Sequence, residues 1–331
     1  MYSGGGDGFR RQAKVNTMGE WVIGVDLGGT KTALGLVSPD NEVVAQTRIP
    51  TNDHEGPEAI VERIAAQVVE LERKLPSGQR AAGLGICCPG PIDHISGSLL
   101  TLVNLPGLSN TPLRQLLAER LGIPVRLDHD AKVAALGEFY YGAGRGHDHM
   151  VYVVIGTGVG AAIIINGQLY YGESNSAGEV GHMTVNPAGE RCACGTRGCL
   201  ETYTSGPWLS RRYQQALEQA GKGDTEAIAG ERVTHLAAQG DPAAQSVMNA
   251  AGEALGIAVA SMAMILNVER YVIGGSVAKA GDLLLEPARK AMPHYCFQAV
   301  GARVQILQSE LGDDGPILGS AWLARQAIEG A

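Results

Sequence analysis

Positive charge is in short supply in this chain: 26 lysines and arginines stand against 34 aspartates and glutamates, for a net charge of −8. A nucleic-acid surface needs a basic stripe to replace the counterions of the phosphates, so this balance argues against one. No apolar run of membrane-spanning length appears, and no transmembrane helix is expected. Residues 1–20 carry Gly4-Gly5-Gly6 and Arg10-Arg11 but no apolar stretch, so a flexible leader is expected there rather than a signal peptide. Six cysteines in 331 residues do not make a small disulfide scaffold, and a reducing cytoplasm is the compartment that fits. The first Gly-rich turn matches neither the GxxxxGK[ST] nor the GxGxxG spacing, which excludes a P-loop or a dinucleotide fingerprint at that point.

What is present is a soluble globular composition, with 45% hydrophobic and 18% charged residues over a length that suits two domains. Aromatics make up only 5%, whereas glycine occurs 46 times, and tight turns and close backbone–ligand approaches are expected. The organising stretch is Ile23-Gly24-Val25-Asp26-Leu27-Gly28-Gly29-Thr30-Lys31. Its apolar run reads as a buried strand ending in an acid, a Gly-Gly reversal, a hydroxyl and a cation. Thr30 and Lys31 offer what a phosphate needs, and Asp26 can orient Mg²⁺ through water. An ordinary Gly-Gly hairpin accounts for the same residues taken alone.

Strands are expected over 21–27, 32–37 and 43–49, a helix over 57–75, a strand over 81–86, a helix over 113–121, a strand over 124–127 and a helix over 131–140. A second cycle then begins. A strand over 151–155 runs into Gly156-Thr157-Gly158-Val159-Gly160, and another follows over 161–165, so the architecture of the first half is repeated. Helices are expected over 207–220, 226–239 and 242–266. A strand over 271–275 ends in Gly274-Gly275-Ser276, followed by a helix over 282–291, a strand over 304–307 and a helix over 317–328. This alternation indicates α/β layers, whose ligands bind beyond the carboxyl ends of strands.

Two further stretches carry chemistry. His182, Cys192, Cys194 and Cys199 stand at H-x9-C-x-C-x4-C. Three thiolates and one imidazole suit a closed tetrahedral Zn²⁺ site that ties down a loop poor in apolar residues. A Cys192–Cys194 redox pair or unrelated buried thiols are the alternatives. Cys87 and Cys88 fall outside this pattern and read as small buried hydrophobes. In Asp128-His129-Asp130-Ala131-Lys132, Asp130 precedes a helix and is either its cap or a reactive carboxylate.

These motifs, in this order over residues 21–328, resemble the ROK family (repressors, open reading frames and sugar kinases) of the actin-like ATPase superfamily. The resemblance implies two actin-like, ribonuclease H-like α/β domains with a cleft between them and a zinc-bound loop over 182–199. The domains are expected over 21–127 and 128–314, with a final helix over about 315–331 returning to the first. Asp26, Gly28, Gly29, Thr30 and Lys31 look like the family's first phosphate motif, Gly156, Thr157 and Gly158 like its second, and Gly274 and Gly275 like its adenosine motif. Asp130 then stands at the catalytic base. Glu179, His182 and Glu201 stand where the family holds sugar hydroxyls, and Gly90, Asn104 and His129 line the same pocket. His182 would use one ring nitrogen for zinc and the other for sugar.

The sequence departs from the family at His129 and Lys132, where asparagines are usual, which touches the identity of the sugar. The implied activity is an ATP-dependent hexose kinase using Mg²⁺, with glucose as acceptor. Fructose, mannose, N-acetylmannosamine and N-acetylglucosamine are alternatives, and a non-catalytic sugar-responsive regulator is the alternative of another class. The family's regulators carry an added N-terminal helix-turn-helix, for which about twenty leader residues are too few. A homodimer, or a tetramer, is implied by the resemblance.

Overall fold

The computed structural model describes residues 19–222 and 228–331. The expected leader up to residue 18 and the first residues of the helix expected over 226–239 lie outside the described residues. In chain order the elements are β1 (Val22–Leu27), β2 (Lys31–Val37), β3 (Val43–Pro50), α1 (Pro57–Glu72), β4 (Gly83–Cys88), β5 (Ile92–Asp93), β6 (Ser98–Leu99), α2 (Leu113–Leu121), β7 (Val125–His129) and α3 (Asp130–Tyr141). Then come β8 (Met150–Ile155), β9 (Val159–Ile165), β10 (Gln168–Tyr170), α4 (Glu201–Thr204), α5 (Gly206–Gln219), α6 (Gly230–Ala238) and α7 (Pro242–Leu266). The chain ends with β11 (Arg270–Gly274), α8 (Asp282–Ala291), α9 (Gln298–Gly301), β12 (Gln305–Gln308) and α10 (Gly315–Glu329).

The chain divides into two compact units. The first runs to Gly137 and takes in Asn166–Gln168 and Asp314–Ala331; the second comprises Glu138–Ile165 and Leu169–Asp313. The change of unit falls inside α3, ten residues later than the boundary expected before Asp128: Val133 and Gly137 of α3 lie against Gly319 and Gly315 of α10, which belongs to the first unit. Each unit holds a five-stranded sheet, in the orders β3-β2-β1-β4-β7 and β10-β9-β8-β11-β12. In each, the central strand pairs antiparallel with the next strand in sequence and parallel with the strand on its other side. The repeated pattern of motifs is therefore a repeated sheet.

Local sequence explains the pieces. β1 is buried almost throughout, as its Val-Ile-Gly-Val run demands. β3 alternates half-buried and exposed residues and ends on Pro50, fitting a sheet edge. α1 opens with Pro57 in its first turn and turns Ile60, Ile64, Val68 and Leu71 into the core. α7 is capped by Asp241, which accepts from the Ala244 N–H at 2.8 Å, and stops at Asn267 in the left-handed region. It has the length and apolarity of a membrane span, which the scattered polar residues of the sequence did not lead us to expect. Most of that stretch is buried inside the protein, where Ala251, Leu255, Ala258 and Val259 belong to the second core, so α7 is a core helix here.

The last helix, α10, belongs to the first unit and lies on its sheet. A methyl group at Gly24 would overlap the Ile317 carbonyl, and one at Gly85 the Ser320 carbonyl. The helix backbone thus rests directly on β1 and β4, and Ser320 Oγ donates to the Val25 carbonyl at 3.0 Å. This packing fixes the strand whose end carries Asp26.

Candidate active site

Three parallel strands of the first unit end in line. Asp26 of β1 pairs in register with Cys87 of β4, and Cys87 with Asp128 of β7; Cys88 pairs with His129. The carboxyl ends of these strands therefore gather Asp26, the Cys88–Pro91 loop and the Asp128–Asp130 segment. Asp26 is half-buried, and its carboxyl is raised above the usual range, first by burial and then by the negative charge of Asp130. A hydrogen bond from the Cys87 thiol (Sγ to Oδ1, 3.1 Å) and the Arg48 charge act in the opposite direction. Cys87 is fully buried, as expected, but it is not merely a small hydrophobe. Burial and the surrounding aspartates push the Cys88 thiol up as well.

The turn after β1 is held from behind. Gly28 N donates to the Lys31 carbonyl at 3.1 Å. Thr51, just past β3, donates its hydroxyl to the Gly28 carbonyl at 2.7 Å, and its N–H reaches the Thr30 carbonyl at 2.9 Å. Because that single proton goes to Gly28, the Thr32 hydroxyl must donate into Thr51 Oγ1, 2.9 Å away. Arg63 Nη1 closes on the Thr51 carbonyl at 2.5 Å. Gly29, Thr30 and Lys31 are left exposed at the front. A methyl group at Gly29 would come within 3.2 Å of the Asn104 carbonyl, so the Asn104 loop flanks this turn.

Asp130 opens α3 and is half exposed; its Oδ1 accepts from the Ala131 N–H at 2.6 Å and lies 3.1 Å from His129 Nδ1. Gly90 faces the His129 ring. Lys132 points its chain into the protein and is buried. The structure thus brings together, within the first unit, Asp26, Gly28, Gly29, Thr30, Lys31, Gly90, Asn104, His129 and Asp130.

The second unit holds the other expected residues. The Gly156–Gly160 turn lies beside Gly274-Gly275-Ser276, since β8 and β11 are parallel neighbours. Gly275 adopts φ 91°, and a side chain there would collide with the Ile155 backbone, so the two turns touch only because this residue is glycine. Gly206 N, in the first turn of α5, donates to the Gly156 carbonyl at 2.8 Å. Ser205 immediately before it is buried, and its hydroxyl has no hydrogen-bond partner among the described residues.

His182, Cys192, Cys194 and Cys199 converge, with one ligand atom from each lying within 4.8 Å of the others. Cys194 Sγ is 3.6 Å from Cys199 Sγ, and Cys192 Sγ is 3.7 Å from His182 Nδ1. The edge of a tetrahedron with zinc–sulfur bonds of about 2.3 Å is about 3.8 Å, so the donor set and its spacing fit Zn²⁺. All six cysteines are free thiols. The Thr196 hydroxyl draws the exposed Cys194 thiol down to about 6, while burial pushes Cys192 up to about 11. Glu201 stands between this cluster and the Gly156–Gly160 turn: Oε2 accepts from the Val159 N–H at 3.0 Å, and Oε1 is 3.9 Å from Cys192 Sγ. Glu179 is exposed on the same loop, and its carbonyl accepts from the His182 N–H at 3.1 Å.

A model of the ROK family matches residues 22–327. The chain belongs to the ROK family. Its ROK relatives include the glucokinase of Thermotoga maritima, 36% identical over 316 residues that cover 93% of this chain and 98% of that one. The fold is similar to the crystal structure of a ROK family glucokinase from Streptomyces griseus in complex with glucose and AMPPNP, with TM-score 0.76, 32% identity and coverage of 92% and 99%. Regulators are similar too: the xylose repressor of Caldicellulosiruptor bescii is 30% identical over 90% of this chain and 76% of its own length.

Thr51, Cys87 and Ser205 were not singled out as site residues in the sequence. Thr51 and Cys87 act through cross-strand pairing, and Ser205 through a helix start beside a distant turn, so no local motif marks them.

Proposed function

We propose that this ROK protein transfers the γ-phosphate of Mg·ATP to a hexose hydroxyl, with glucose as the acceptor and glucose 6-phosphate as the product. The observation that carries the reading is the first unit's strand-end cluster. It sets an exposed carboxylate, Asp130, beside Asp26 and close to a turn stripped of side chains at Gly28 and Gly29. Asp130 takes the proton of the attacking sugar hydroxyl as the new O–P bond forms and the bond to the ADP oxygen breaks. Thr30, Lys31 and Thr157 grip the phosphates, with the backbone of Gly28, Gly29, Gly156 and Gly158, while Gly274 and Gly275 leave room for the nucleoside. The buried, unpartnered Ser205 hydroxyl suits a phosphate oxygen of the same nucleotide.

The half-buried carboxylate of Asp26 is a hard oxygen donor of the kind that suits Mg²⁺. When bound, Mg²⁺ supplies charge neutralisation at the phosphate oxygens, and Asp26 would orient it through water. His182, Cys192, Cys194 and Cys199 would hold a structural Zn²⁺, which would fix the loop that presents Glu179, His182 Nε2 and Glu201 to the sugar. Gly90, Asn104 and His129 complete the sugar's surroundings. On the family's pattern we assign the protein to the cytoplasm as a homodimer.

The test is ADP release from purified, zinc-loaded protein with Mg·ATP and glucose, fructose, mannose, N-acetylmannosamine or N-acetylglucosamine in turn, beside Asp130→Asn. Glucose should give the highest kcat/KM, and Asp130→Asn should lower kcat by about 10²- to 10⁴-fold. Absence of hexose-dependent turnover in folded protein would overturn the kinase reading. It would favour the sugar-responsive regulator to which the repressor similarity points.

A further inference from the structure

We propose that His129 is a positioning residue for Asp130: its Nδ1–H donates to Oδ1 and leaves the other carboxylate oxygen turned to the sugar hydroxyl. The inference rests on the kinase reading, because it assigns a role inside that site. Nδ1 lies 3.1 Å from Oδ1, and the same oxygen accepts from the Ala131 N–H at 2.6 Å. Both contacts fall on one oxygen. A carboxylate gripped at Oδ1 cannot spin, and Oδ2 is the oxygen left to accept the proton.

The ring itself is held on two sides. The backbone N–H of His129 donates to Asp128 Oδ1 at 2.7 Å, which fixes the start of the side chain. On the other side lies Gly90, where an added methyl group would come within 2.5 Å of the ring's Cδ2 and 3.0 Å of its Nε2. The glycine of the Pro-Gly-Pro loop therefore leaves the space that the imidazole fills. An imidazole placed this way keeps one nitrogen, Nε2, for any contact with the sugar. It cannot serve two vicinal hydroxyls as an amide does. The Nδ1 bond also survives protonation of the ring, because both nitrogens of an imidazolium donate.

Two measurements test this. Nitrogen-15 spectra of the full chain with labelled histidine report the protonation state of each ring nitrogen, with His129 assigned by its loss in His129→Asn. His129 should carry its proton on Nδ1, and Asp130→Asn should shift that nitrogen more than those of the other histidines. A proton on Nε2 with Nδ1 unmoved by Asp130→Asn would overturn the proposal, and this readout does not depend on turnover.

In kinetics, the amide nitrogen of His129→Asn reaches the place of Nδ1, so this variant should retain at least about threefold more kcat than His129→Leu. His129→Leu should lower kcat by about 10- to 100-fold with the glucose KM changed less than about threefold. Matching melting temperatures would establish that both variants are folded. Equal kcat values in the two variants, or a loss confined to the glucose KM, would make His129 a sugar contact or a bystander and refute the orienting role. Failure of the wild type to turn over any hexose would instead strike the kinase reading, with the ring-nitrogen result still deciding the His129–Asp130 bond.

Discussion

Thr51→Val is the sharpest probe of how the fold builds the Gly28–Lys31 turn. The two side chains have nearly the same shape, so the substitution removes a hydroxyl and little else. Thr51 is 1% exposed, and its hydroxyl donates to the Gly28 carbonyl at 2.7 Å and receives the Thr32 hydroxyl at 2.9 Å. Valine takes both partners away inside the protein. A buried polar group left without its partner costs about 1–3 kcal/mol, so the pair should cost about 2–6 kcal/mol in urea unfolding.

The same bonds hold Gly28, which we propose to lie against the nucleotide's phosphates. If only about 1.4 kcal/mol of the loss falls on ordering the turn when ATP binds, affinity drops about tenfold. Calorimetry with a non-hydrolysable ATP analogue would read this. Thr51→Ser keeps the hydroxyl and loses only a buried methyl group, so it should cost about 1 kcal/mol in unfolding and leave nucleotide affinity unchanged. A valine variant within about 0.5 kcal/mol of wild type and with unchanged nucleotide affinity would refute the idea that Thr51 supports the turn.

Two further outcomes are expected. Metal analysis should find stoichiometric zinc in the wild type and none in Cys199→Ser, whose melting temperature should fall by at least about 5 °C; active, equally stable protein without zinc would contradict the assignment. Asp26 has its carboxyl raised by burial, so the stability it contributes is complete below its ordinary value of 3.8 and is lost as pH climbs through the folded value. Asp26→Asn, neutral throughout, should therefore unfold at higher urea than wild type at pH 8 in nucleotide-free protein, with the gap closing toward pH 4. A gap that widened on acidification would reverse the sign and refute the burial argument.

The order of strands and helices, the repeat of the Gly-rich turns and the Cys/His spacing were legible in the sequence because each depends on neighbours along the chain. An apolar β-branched run such as Val22–Val25 makes a strand wherever it sits, and glycine pairs mark reversals through their own backbone freedom. The two-residue strands Ile92–Asp93 and Ser98–Leu99 were not expected, because two residues carry no period. α7 shows the reverse limit: composition matches both a core helix and a membrane span, and only the packing of Ala251, Leu255 and Ala258 separates them.

By itself the sequence determined which chemical groups the protein owns and in which order they follow the strands. Only the tertiary structure decided which of them meet. Asp26 and Cys87 are 61 residues apart and share a hydrogen bond because β1 and β4 lie in parallel register. Thr51 reaches back 23 residues to Gly28 because β2 and β3 return the chain past the turn. His129 and Asp130 are adjacent in sequence, yet the imidazole lies 3.1 Å from the carboxylate in space left open by Gly90. Side-chain hydrogen bonds act over a few ångströms, so their partners are chosen by strand register and close packing, which no local stretch of sequence contains.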